Sequence, residues 1–156
     1  MIGRLDANNK NPQGIIMQGK FLEDLSVGLS AELVRTVAEA DIVAFASVTG
    51  DTNPVHLDAD YAATTSFGER IAHGMLSAGY ISAVLGTTLP GPGAIYLSQA
   101  LRFKRPVRVG DSVSAQVTIT EINETKAQVT LSTVCKVNGK AVVDGEAVVM
   151  VPRKAA

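Results

Sequence analysis

The chain holds only two histidines, His56 and His73, and both sit among turn residues rather than on an apolar stripe. His56 belongs to the segment Thr49-Gly-Asp51-Thr-Asn-Pro-Val-His56-Leu-Asp58, where Asp51 precedes it across Asn53-Pro54. Gly and Asn-Pro are strong turn signals, and a residue before proline is pushed away from helix. The chain can therefore double back and bring a carboxylate and an imidazole to one point. Such a pair can remove a proton from a shared water and later return one. Histidine suits this work because its unperturbed pKa of about 6.5 lies near working pH. Asn53 can orient that water, or it can hold the bend by Asx-turn hydrogen bonding.

The second histidine lies in Ile71-Ala-His73-Gly-Met75, directly before a long apolar segment. Gly74 opens that segment. The first N–H groups of a helix have no internal acceptor and carry the positive end of its dipole. A glycine there lets a ligand come close to the backbone, so a carbonyl oxygen gaining negative charge would be stabilised at that spot. The plainer alternative is a glycine needed only for close packing. His73 is a candidate substrate contact at the same place, or a satisfied loop or cap histidine. Asp51 with the two histidines could in principle ligate a metal, but the spacing matches no compact ligand motif, and no metal is expected. Lys104, Arg105 and Arg108 form a small basic group that is either a solvated face or a phosphate contact. A Gly-x-Ser-x-Gly elbow and a phosphate-binding Gly-rich loop are both missing from the sequence.

The elements that must position these residues belong to an ordinary globular chain. Its 156 residues suit a single domain that buries its own core without a disulfide or metal. The 46% apolar and 19% charged content excludes a disordered or collagen-like chain. Fourteen basic residues against fifteen acidic ones, with no long run of either sign, argue against a sequence-independent nucleic-acid binder. The one cysteine, Cys135, excludes an internal disulfide and a cysteine-based zinc cluster, and it fits a reducing cytoplasm. Residues 1–20 are polar, lack an apolar core of signal-peptide length, and read as a poorly ordered extension. The domain is expected over 21–152, with 153–156 as a tail. The apolar stretch 75–89 is too short to span a bilayer, which needs about 20 residues, so no membrane span is expected.

A short strand and turn are expected over 21–28, a half-buried strand over 32–36, and a helix over 39–47 with Ala40, Val43, Ala44 and Ser47 on one face. Asp58 can cap another short helix through about Ala63. Segment 75–88 is apolar around its whole circumference, which predicts a helix buried on all sides. Strands follow over 94–103, 112–122, 127–137 and 140–151, with Val113, Ala115, Val117, Ile119 and Glu121 sharing a face. Asn138-Gly139 is a strong hairpin signal. The expected architecture is α+β, an antiparallel sheet wrapped around a long buried central helix. One small sheet cannot cover such a helix and leaves an edge exposed. A homodimer, or a higher oligomer of dimers, is therefore expected.

Three stretches together resemble the (R)-specific enoyl-CoA hydratases of the MaoC-like group, which have the hot-dog fold. They are Phe45-Ala-Ser-Val-Thr-Gly-Asp51-Thr-Asn-Pro-Val-His56-Leu-Asp58, Ile71-Ala-His-Gly-Met-Leu76 and Tyr96-Leu-Ser-Gln-Ala-Leu-Arg-Phe103. The resemblance runs over roughly 21–152 and is closest to the polyhydroxyalkanoate-linked hydratases. It implies that Asp51 and His56 activate water for addition to a trans-2-enoyl thioester, with Asn53 assisting. Gly74 would supply the backbone N–H for the thioester oxygen, and Ser82 falls where the family places a serine near the aspartate. No cofactor is implied, since coenzyme A is part of the substrate. Other readings stay open: dehydration of acyl carrier protein substrates, thioester hydrolysis on the same fold, or a non-catalytic acyl-CoA-binding module.

Overall fold

The computed structural model describes residues 18–156. The expected disorder of the N-terminal extension falls largely on residues 1–17, outside the described residues. Five strands form one antiparallel sheet: β1 (Ser30–Thr36), β2 (Ile95–Phe103), β3 (Ser112–Asn123), β4 (Gln128–Val137) and β5 (Lys140–Met150). Their spatial order is β1-β3-β4-β5-β2, so β1 and β2 are the two edges. The helices are α1 (Glu39–Thr49), α2 (Pro54–Leu57), α3 (Ala59–Ala63) and α4 (Gly74–Thr87).

Alternation along β3 and β4 sets which face is inward. Val113, Ala115, Val117 and Ile119 are buried on β3, and Val129, Leu131 and Cys135 on β4. Ile81, Val84 and Leu85 of α4 complete the same core. Each such side chain, fully buried, contributes roughly 1.5–3 kcal/mol of transfer free energy. Asn138 and Gly139 both take positive φ, 49° and 76°, the geometry of a tight hairpin turn between β4 and β5. Cys135 points its Sγ at the Ser77 carbonyl of α4, 3.4 Å away. Burial pushes that thiol up to about 12, so it is held as a neutral packing residue.

Four sequence expectations need correction. First, α4 is not covered on every side. Met75 is 55% exposed, and Gly79, Ser82 and Gly86 are exposed with it. These positions recur at helical spacing and form one bare stripe facing away from the sheet. Second, the 21–28 segment is not a strand. Leu22–Asp24 form a 3-10 turn whose Asp24 carboxylate accepts the Phe21 N–H at 3.2 Å. Leu22 and Leu25 are buried there by turn geometry rather than by alternation. Third, α1 runs two residues longer than expected, to Thr49. It buries Ile42 and Ala46 and leaves Val43 and Ser47 exposed. Fourth, Glu121 does not share the inward face of β3, because a bulge between Ile119 and Glu121 shifts the register and turns it out to solvent. Among the described residues no helix is long and apolar enough to cross a membrane.

Candidate active site

Residues 50–58 form the bend that the sequence implied, and each part of it has a local cause. Gly50 closes α1 in the left-handed conformation, φ 78°, which turns the chain back on itself. The Asn53 side chain accepts the Val55 N–H at 3.2 Å and caps α2, with Pro54 in its first turn. The structure thus assigns Asn53 the structural half of its expected role. The single turn of α2, which the sequence reading missed, points His56 inward. Asp58 caps α3 by accepting the Tyr61 N–H at 3.0 Å, as expected.

His56 and His73 are both buried, at 8% and 2% exposure, with ring centroids 3.9 Å apart. The Phe45 ring of α1 packs near the His73 ring at 4.7 Å. Two backbone carbonyls determine the tautomers. His56 Nδ1 lies 2.7 Å from the Ile71 oxygen, and His73 Nε2 lies 2.9 Å from the Asp51 oxygen. A carbonyl can only accept, so both of these nitrogens carry the hydrogen. In the neutral form of each ring the opposite nitrogen, His56 Nε2 or His73 Nδ1, carries the lone pair. His73 Nδ1 is buried and meets no partner among the described residues. A carboxylate oxygen of Asp51 and one ring nitrogen of each histidine lie within 4.8 Å of one another. Asp51 itself is exposed, and one of its carboxylate oxygens accepts the Asn53 N–H at 3.3 Å.

Could this trio hold a metal? Two imidazoles bound to one ion at about 2.1 Å keep their centroids about 5 Å apart. The 3.9 Å stack is tighter than that, and both outer nitrogens are already committed to carbonyls. The arrangement suits proton transfer better than coordination.

His56, His73 and Gly74 line a cavity of about 400 Å³, together with Phe67, Met75, Phe103, Lys104 and Arg105. Gly74 is the first residue of α4, and its N–H has no protein acceptor among the described residues. It is also a packing glycine. A Cβ there would lie 2.7 Å from two carbons of the Phe103 ring. The packing reading of Gly74 is therefore seen directly, and its N–H is left available as a donor. Lys104 is ion-paired to Asp144, and Arg105 donates to the Ala141 carbonyl at 2.6 Å. Arg108 is paired with Glu69 and is absent from the cavity wall, as are Asp51, Asn53 and Ser82. Ser82 lies on the bare stripe of α4.

A residue that the sequence reading did not single out is Arg70, which donates from Nε to the His56 carbonyl at 2.7 Å. No local pattern marks it, because its partners are 14 and 31 positions away.

An antiparallel sheet packed on one helix, with a carboxylate–imidazole cluster beside that helix's N-terminus, defines a hot-dog protein. Residues 24–145 match the MaoC like domain, and the chain belongs to that family. The (R)-specific enoyl-CoA hydratase of Rhodospirillum rubrum is 58% identical over 134 residues, 86% of this chain and 93% of that protein. Two solved structures are also similar. The R-hydratase PhaJ1 from Pseudomonas aeruginosa, unliganded, gives a TM-score of 0.83 at 51% identity, covering 87% of this chain and 88% of that one. The (R)-hydratase from A. caviae involved in PHA biosynthesis gives 0.81 at 47% identity, covering 83% and 99%.

Proposed function

We propose that this chain is a hydro-lyase that adds water to trans-2-enoyl-CoA and forms (R)-3-hydroxyacyl-CoA. The observation that carries the reading is His56, tied through Nδ1 to the Ile71 carbonyl, with a ring nitrogen within 4.8 Å of an Asp51 carboxylate oxygen and on the same cavity wall as Gly74, whose N–H is unpaired among the described residues. The identity to relatives named for this activity supports it.

In the proposed reaction, the thioester oxygen accepts the Gly74 N–H, which draws electron density from the β-carbon. One backbone donor of this kind is worth roughly 2.7–4 kcal/mol to a developing oxyanion. The Asp51 carboxylate accepts one hydrogen of a water and orients its oxygen. His56 Nε2 takes the other as the oxygen bonds to the β-carbon, and the displaced electron pair moves onto the thioester oxygen as an enolate. The enolate then collapses and its α-carbon takes a proton back from the same pair. Water and proton arrive on one face, so addition is syn. The steps need no metal, flavin or redox nucleotide; coenzyme A enters as part of the substrate.

Lys104 and Arg105, at the cavity, are the proposed contacts for the phosphates of coenzyme A, exchanging their present partners for the more highly charged ligand. Arg108 would join them only by leaving Glu69. His73 holds the Asp51 backbone, while Ser82, exposed on α4 and off the cavity wall, is assigned near the aspartate by the family resemblance alone. The reading includes a cytoplasmic location, a place beside polyhydroxyalkanoate synthesis, and a homodimer formed over the β2 edge and the bare stripe of α4. Sedimentation giving only the 16.3 kDa species would remove the dimer.

The deciding experiment follows loss of enoyl absorbance and release of free thiol separately, across enoyl-CoA chain lengths, with chiral analysis of the product. Absorbance loss without thiol and an (R) product is the expected result. Thiol release would place the chain among thioesterases instead.

A further inference from the structure

The base His56 sits on α2, a helix of only four residues. A single isolated turn fixes several dihedrals for little hydrogen bonding and does not hold its own shape in water. Something outside α2 must therefore aim the imidazole. Two consecutive residues, 70 and 71, supply what α2 lacks. The Ile71 carbonyl accepts from His56 Nδ1 at 2.7 Å, and the Ile71 N–H donates to the Val55 carbonyl at 3.3 Å. Arg70 donates from Nε to the His56 carbonyl at 2.7 Å and from Nη2 to Glu39 Oε1, also at 2.7 Å. The histidine is gripped at its ring and at its backbone by one short segment.

The Arg70 side chain is 19% exposed and Glu39 is 56% exposed. Arg70 is absent from the cavity wall. Its link to the site is the bond to the His56 carbonyl. An arginine fork can serve a carbonyl and a carboxylate in different directions at once, which a lysine ammonium at the end of a flexible stem does poorly. A charge-assisted bond to a carbonyl is also stronger than a neutral one.

We propose that Arg70, braced by Glu39 of α1, is a positioning residue for the hydration: it fixes the backbone of His56 so that Ile71 can hold Nδ1 and leave Nε2 bare toward the water. The proposal rests on His56 being the base, and its test separates the two. Arg70→Ala and Arg70→Lys are compared with the parent and with His56→Asn, all as the full chain. The readouts are kcat and KM for an enoyl-CoA, and the ¹⁵N shifts of the His56 ring, which report which nitrogen carries the hydrogen. Arg70→Ala is expected to lose about 10- to 100-fold in kcat, the scale of a misplaced catalytic group, with KM changed less than about twofold. Its His56 ¹⁵N pattern should move toward mixed tautomers, and added guanidinium should restore part of kcat. Arg70→Lys, which keeps the charge beside Glu39 and guards against a folding failure, should lie between Ala and the parent.

If both Arg70 variants keep kcat within twofold while His56→Asn abolishes turnover, the positioning role is overturned and the base stands. Lost kcat with an unchanged His56 ¹⁵N pattern also overturns it. Turnover surviving in His56→Asn removes the base itself, which is a different failure.

Discussion

The sheet with its covered face of α4, and the 50–73 region beside it, are held by opposite means. In the first, Val113, Val117, Leu131, Ile81 and Leu85 exclude water through apolar area, and most apolar side chains of matching volume would serve. In the second, short hydrogen bonds with direction hold each piece: Asn53 on Val55, His56 on Ile71, His73 on Asp51, and Arg70 on His56. Apolar packing tolerates small shifts, whereas a proton transfer does not. The difference teaches that stability and activity here should respond to different substitutions, with little overlap.

The strongest break in that division comes from Asp51→Asn. It keeps the size of an exposed side chain but removes a charge from the cluster. It should lower kcat by roughly 10²–10⁴, the usual contribution of a positioned acid or base, and leave the thermal midpoint nearly unchanged. Calorimetry beside the enoyl assay checks both. Turnover within a few-fold of the parent would end the role assigned to Asp51.

Ile81→Ala tests the other side. Ile81 is fully buried against the sheet. Its truncation should cost about 2–5 kcal/mol in denaturant unfolding. Where the variant is folded, KM for a short-chain substrate should stay near the parent value.

Gly74→Ala sits on the boundary between the two regions. Its new Cβ would press on the Phe103 ring, 2.7 Å from two ring carbons. A loss of about tenfold in kcat/KM is expected from displacing the oxyanion donor, and adding Phe103→Leu should recover most of it. No recovery would mean that the ring is not what disturbs the site.

The smallest effect belongs to an exposed strap on the surface. Lys154 ties the C-terminal tail to the 3-10 turn, through its N–H to Glu23 at 3.0 Å and its ammonium to Asp24. The Lys154 backbone bond holds the Glu23 carboxyl below the usual range, and the Lys154 side chain does the same for Asp24. Carboxyls depressed in the folded state stabilise it above their ordinary range and lose that contribution as pH falls. Protection of the tail amides, corrected for the intrinsic pH dependence of exchange, should therefore fall on acidification, with little change in the core, because these groups are solvent-screened.

How much of this was legible in the sequence follows the same division. The Asp51–His56 bend could be read because Gly50, Asn53 and Pro54 set it locally. The strands could be read because alternation survives wherever one face is buried. The inward face of α1 was misread because its apolar residues surround the helix, and only tertiary packing decides that Ile42 and Ala46 turn in. Helix α4 was read as wrapped on all sides because hydropathy shows what prefers burial, whereas within one chain the sheet covers only one face of it. The Arg70 brace left no trace, since a salt bridge between distant positions has no periodicity. Glu121 was misplaced by one bulge.

The acceptors that fix both imidazoles are main-chain oxygens, those of Ile71 and Asp51. A library that exchanges side chains one at a time never deletes either of them, so Ile71 would look dispensable in such a screen while its peptide unit was setting the orientation of the base. Ester replacement of the amide that follows Ile71, which weakens that oxygen as an acceptor, is the kind of chemistry that would expose the contact.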